Sequence, residues 1–197
     1  MARIEAFCDG VFAIAITLLV LEIRVPAQEL VAAEGLWRAL GRSWPSYAAY
    51  VLSFAIIGIM WANHRNIFRY IGRSNHTFVI LNVALLLCTA FLPFPTAVLA
   101  RYLLSATERT AAAVFYGGTL TVTAVVYNAL WRYAAAGRRL LRADADQQLV
   151  DAVTREYFFG PVLYLAATLV AFLSVWVSLG IHAFLAGLFV VPNRSRP

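Results

Sequence analysis

Apolar residues run along this chain in blocks too long for the buried face of a soluble helix, and the polar residues collect between the blocks. The first block opens at Glu5 and reads "EAFCDGVFAIAITLLVLEI"; three more follow at about 46–64, 78–99 and 111–132. Each is close to the roughly 20 apolar residues that cross a bilayer as a helix. A last apolar stretch, from Tyr157 to Val191, is too long for one crossing. Ser178, Leu179 and Gly180 offer a turn that divides it into about 158–177 and 180–191. The final piece is short enough to be a thin span or a re-entrant segment. The pattern predicts an all-α membrane protein with six transmembrane helices in one domain, 1–197. Pro93 and Pro95 in "FLPFPTA" predict a kink at the outer end of the third span. Between the fourth and fifth spans, Leu140, Leu141, Leu149, Val150 and Val153 recur at roughly helical spacing among charges. That spacing suits a helix lying on the membrane surface, or a plain linker.

Composition agrees with the pattern. The chain is 62% hydrophobic and only 13% charged, with mean hydropathy +0.74, outside the range of a soluble domain. All sixteen cationic side chains are arginines. With both termini in the cytoplasm, eleven of them fall inside and five outside, the bias that sets membrane orientation. The net charge of +6 therefore needs no nucleic acid to explain it. Anionic lipid headgroups are the simpler partner for "GRRLLRADADQQ". An acid at the start of an apolar core is atypical of a cleavable signal peptide, so Glu5 and Asp9 mark the first block as one that stays.

Enzyme chemistry is thinly represented. No phosphate loop, H-E-x-x-H, G-x-S-x-G or C-x-x-C motif is present, and none of His64, His76 and His182 has a carboxylate three or four residues away. Cys8 and Cys88 fall inside predicted spans and read as small buried hydrophobes. No cofactor is expected. The first span carries the unusual pattern instead. At 100° per residue, Ile14, Leu18 and Leu21 lie within about 60° of one another, with Thr17 beside them. From these residues alone such a stripe is ordinary packing or lipid contact. Asp9 lies well away from it and is expected to face the protein interior, where an acid must find a partner. His64 reads as a structural hydrogen-bonding group or as a proton sensor. Glu22, near the outer end, reads as a solvated acid or as a group that concentrates cations at a mouth.

The stretch "RIEAFCDGVFAIAITLLVLEI" resembles the signature of the transmembrane protein 175 family of potassium channels, R-x-x-x-F-S-D. Arg3, Phe7 and Asp9 match, and Cys8 stands where the family has Ser. The likeness continues in "MWANHRNIFRYI" and "LNVALLLCTAFLPFPTAVLA" and covers most of the chain. It implies a potassium-permeable channel in the cell membrane, a homotetramer of six-helix subunits with the first helix of each lining the pore. Potassium ions and membrane lipids would be its partners. On this resemblance Ile14, Leu18 and Leu21 take the places of the aliphatic residues that close the pore. Thr17 takes that of a hydroxyl layer past which a potassium ion moves. Arg3, Phe7, Cys8 and Asp9 hold the first helix against the second and third, with Trp61, His64 and Asn82 as natural partners. Cys8 replaces a good hydroxyl donor with a weak thiol. A secondary or proton-coupled transporter with a relay of Asp9, His64 and Asn82 is the alternative, and a non-transporting scaffold a third reading. The chain has no repeated halves of the kind many transporters show.

Overall fold

A chain of long apolar blocks satisfies its backbone inside a bilayer only by closing each block into a helix or a barrel, and here it closes them into helices. The structure, a computed structural model, describes residues 1–190. Helix α1 (Ala2–Leu18) tightens into a 3₁₀ turn over Leu19–Glu22. Two short helices, α2 (Gln28–Glu34) and α3 (Leu36–Arg42), fill the connection to α4 (Trp44–Phe68). Then come α5 (His76–Phe91), α6 (Pro93–Tyr102), α7 (Arg109–Ala135), α8 (Gln147–Val170) and α9 (Val175–Val190).

Among the described residues four segments are long and apolar enough to cross a membrane: Ala2–Glu22, Trp44–Phe68, His76–Tyr102 and Arg109–Arg138. The last two helices differ from expectation. The chain turns at Ala171–Ser174, not at Ser178–Gly180. Ser174 caps α9 by accepting a hydrogen bond from Val177 N–H at 3.4 Å. Ser178 stays helical and donates across to the Ala167 carbonyl at 2.7 Å, stapling α9 to α8. The 16 residues of α9 rise about 24 Å, short of the roughly 30 Å hydrocarbon core. Residue 191, the end of the sixth expected span, lies outside the described residues. No separate surface helix forms over 140–153 either. Asp146 caps Gln148 N–H at 2.7 Å, and α8 runs on without a break from this polar first turn into its apolar half.

Three local devices shape the bundle. Pro93 has no N–H for the Thr89 carbonyl, so Leu92 N–H bonds it at 3.2 Å and α5 and α6 part at that point. Pro161 likewise leaves the Tyr157 carbonyl of α8 without its helical donor, and the Asn128 amide reaches across from α7 to supply one. Gly117 keeps α7 close to α8 and α9, since a Cβ there would fall 2.5 Å from Thr168 Oγ1 and 3.1 Å from the His182 ring.

Two apolar clusters result. One gathers Phe12, Leu19, Ile57, Leu92 and Tyr116 between α1, α4, α6 and α7. The other gathers Phe78, Leu85, Leu130, Trp131 and Leu140 at the opposite end of the bundle. There a strap of two antiparallel segments closes the fold: Gly72 N–H bonds Leu140 O at 2.9 Å, and Arg142 N–H bonds Tyr70 O at 2.8 Å. Arg138 holds a left-handed φ of 55° beside this strap. Its guanidinium bonds Gln147 Oε1 at 2.7 Å and the carbonyls of Ala145 and Arg142 at 2.9 and 3.2 Å.

Candidate functional site

Helix α1 packs on one face only. Cys8, Phe12, Ala15 and Leu19 recur at helical spacing, are at most 1% exposed, and lie against α4 and α5. The other face is open: Phe7 is 61% exposed, Ile14 60%, Leu18 41% and Leu21 70%. Ile14, Leu18 and Leu21 therefore share one exposed stripe, as the wheel requires. Thr17 is exposed beside it, and its hydroxyl donates back to the carbonyls of Ile14 and Ala13, at 2.9 and 3.0 Å. With the proton turned inward, the oxygen lone pairs remain for an outside partner.

The packed face is held by polar contacts. Asn82, buried on α5, sits between two side chains. Its Oδ1 pairs with His64 Nε2 of α4 at 2.8 Å, and its amide N–H donates to Cys8 Sγ of α1 at 3.0 Å. If Asn82 gives its N–H to sulfur, its oxygen accepts, and His64 carries the proton on Nε2. His64 is 2% exposed and wedged between the Phe12 and Phe68 rings, at centroid distances of 5.4 and 4.5 Å. One position along α1, the Asp9 carboxylate accepts the Trp61 indole N–H at 2.8 Å. The helix spacing explains the grouping: Trp61 and His64 lie one turn apart on α4, as Cys8 and Phe12 do on α1.

Two details depart from expectation. Asp9 is exposed on the flank of α1, and Cys8 is the motif residue that is fully buried. The packing face is centred on Cys8, Phe12 and Leu19, which leaves Asp9 at its edge, reached by the indole but not enclosed. Arg3 and Phe7 stand outside the network. Both are exposed, and neither side chain makes a hydrogen bond or ion pair among the described residues. The Cys8 thiol takes part as an acceptor, so the change from a family Ser leaves a polar contact in place.

A second buried polar group was not legible in the sequence. Ser53 Oγ on α4 lies 2.7 Å from Thr96 Oγ1 on α6 and 3.0 Å from the Tyr116 hydroxyl on α7. Its only signal is three hydroxyls inside apolar blocks. At the C-terminal end of the first span Glu22 borders the same depression as Arg24 and Arg101. The arginine run "GRRLLRADADQQ" is largely engaged within the protein. Arg138 clasps carbonyls, Arg139 lies 4.7 Å over the Tyr133 ring, and Arg142 pairs with Asp144 at 3.0 Å. The Arg142 guanidinium holds the Asp144 carboxyl below its ordinary range. No group of three or more His, Cys, Asp or Glu side chains able to hold a metal occurs among the described residues.

Comparison with known proteins adds the following. The family model described as endosomal/lysosomal potassium channel TMEM175 matches residues 3–93. A potassium channel of Chamaesiphon minutus is 51% identical over 193 residues, 98% of this chain and 95% of that protein. A potassium channel of Streptomyces collinus is 41% identical over 197 residues, again 98% and 95%. The crystal structure of a lysosomal potassium-selective channel TMEM175 homolog from Chamaesiphon minutus superposes with a TM-score of 0.88 at 48% identity, covering 96% of this chain and 95% of that one.

Proposed function

The chain belongs to the TMEM175 family, and from that premise we propose that it is a potassium channel of the cell membrane, a homotetramer with its pore lined by four copies of α1. The observation that carries this reading is the open face of α1. A helix that buries Cys8, Phe12, Ala15 and Leu19 leaves Ile14, Leu18 and Leu21 in one exposed row, with Leu18 and Leu21 at the rim of a depression they share with Ser46 and Phe94. Relatives 51% and 41% identical to this chain over nearly their whole length are named potassium channels. Both termini lie on the cytoplasmic side, where the arginine bias puts them.

Conduction then follows from two layers on α1. Four Leu18 side chains meeting on an axis, with Ile14 and Leu21 one turn to either side, make an apolar constriction that empties of water when narrow. A small splaying of the helices rewets it. Thr17 supplies the polar layer. Its hydroxyl proton is spent on the Ile14 and Ala13 carbonyls, so its oxygen presents lone pairs able to replace part of the hydration of a passing potassium ion. The contacts of Asp9 with Trp61 and of Cys8 with Asn82, itself paired to His64, hold α1 at a fixed rotation, which decides the residues that reach the axis.

The test is potassium flux into liposomes holding the purified protein, with Leu18→Ala beside wild type and empty vesicles as control. Wild-type flux that rises with Leu18→Ala is expected. Absence of flux from both proteins, each shown to be assembled, returns the stripe to packing or lipid contact. Flux confined to carrier turnover rates favours the transporter.

A further inference from the structure

Helices α4, α7 and α8 enclose a half-open cavity of about 80 Å³ that plays no part in the reading above, with Ala186 of α9 closing one end. Small residues create it. A Cβ built on Gly160 meets nothing within 4 Å, so the space continues past the α8 backbone where Pro161 interrupts its ladder. The cavity is graded along its length. Ile56, Leu120 and Ala186 form an apolar end, while Tyr127 and Asn128 stand at the other, nearer the arginine-rich end of α7. Among the described residues none that lines it is charged.

The polar end is incomplete. Asn128 has committed its amide to the Tyr157 carbonyl, and Thr123 donates its hydroxyl to Thr119 O at 2.7 Å. The Tyr127 hydroxyl is buried and has no hydrogen-bond partner among the described residues. The Tyr157 ring packs on the Tyr127 ring edge-on, centroids 5.2 Å apart, and the Tyr157 hydroxyl comes near the Tyr127 hydroxyl without the geometry of a hydrogen bond. A buried hydroxyl left without an acceptor is costly, and in native proteins such groups are rare enough to need an explanation. Tyr127 also lies within a segment able to cross the membrane, so whatever reaches it arrives through the bilayer.

We propose that this cavity binds a neutral, bilayer-borne amphiphile, with a hydrocarbon body against Ile56, Leu120 and Ala186 and one acceptor, a hydroxyl or carbonyl oxygen, on the Tyr127 hydroxyl. Neutrality follows from the uncharged lining, and the single acceptor from the one buried donor of the lining that has no partner of good geometry among the described residues. The site stands apart from the pore and does not depend on conduction. It does bear on α1, because Ile56 and Met60 of α4 form one wall, and the next turns of α4 carry Trp61 and His64, which hold Asp9 and Asn82.

An octanol carrying a diazirine on its chain tests the assignment. The full-length protein in nanodiscs is irradiated with it, and adducts are mapped by mass spectrometry. Saturable labelling of residues around Ile56, Leu120 and Gly160, competed by excess 1-octanol, is expected. Gly160→Leu should abolish it by filling the space, and Tyr127→Phe should lower it roughly fivefold, the worth of about one net hydrogen bond. Ala124→Leu fills the same cavity should Gly160→Leu fail to give a monodisperse protein. Labelling spread evenly over the lipid-facing helices, or no saturable labelling at all, as with a trapped water on Tyr127, would overturn the site. Labelling lost in the filling variants but unchanged in Tyr127→Phe would overturn the hydrogen-bonded anchor.

Discussion

Asn128 and Pro161 make a prediction in which the structure fixes both sign and size. Pro161 has no N–H, so the Tyr157 carbonyl one turn earlier loses its helical bond, and the Asn128 amide replaces it from α7. Asn128→Leu keeps the branching and number of side-chain heavy atoms and strands that carbonyl beside the buried Tyr157 ring. The expected cost is about 1–2 kcal/mol: an unmade buried bond costs about 1–3 kcal/mol in general, and polar pairs between membrane helices sit at the low end. Pro161→Ala restores the N–H within α8, so in that background the same change should cost at most a few tenths of a kcal/mol. The coupling in a double-mutant cycle is therefore about 1 kcal/mol or more. It can be read from unfolding of the detergent-solubilised protein by circular dichroism in mixed micelles of rising sodium dodecyl sulfate. Equal costs for Asn128→Leu in the two backgrounds would refute the compensation and leave the amide as a contact of no consequence.

Two further outcomes follow from the contacts around α1 and the strap. Asp9→Ala removes the acceptor of the Trp61 indole and loosens α1 from α4. The assembled fraction on size exclusion should fall before ion preference changes, and a normally assembled variant with altered potassium over sodium preference counts against this. Arg138 holds φ 55° and clasps three backbone carbonyls and Gln147. Arg138→Ala loses the clasp and keeps the strain, whereas Arg138→Gly loses the clasp and relieves it. The alanine variant should be the less stable by about 1 kcal/mol in the same unfolding assay. Equal stability would show that the strap tolerates a side chain in the left-handed region.

The parts of this molecule written in one helix at a time were readable from the chain, and the parts that need two helices were not. Block length pointed to the four segments that are long and apolar enough to cross a membrane, because a bilayer imposes one length on every crossing. The stripe of Ile14, Leu18 and Leu21 was equally plain, since helical periodicity alone puts the three on one side. The break between α8 and α9 was misplaced because Ser178 and Gly180 look like a turn. The Ser178 hydroxyl is satisfied by Ala167 on the neighbouring helix, and that contact keeps it helical. Asp9 shows the same limit from the other side. Its charge marked it as a residue in need of a partner, and the partner is the Trp61 indole, yet the packing face that leaves it exposed is set by Cys8, Phe12 and Leu19 meeting α4 and α5. Asn128 is the sharpest case. Nothing around it in the chain says that it completes a helix 29 positions away, and only Pro161, read as a carbonyl left without a donor, says that some side chain must. A proline inside a span is thus a directional clue: it names the carbonyl four residues earlier, and the polar residue on a neighbouring span that meets it is structural before it is functional.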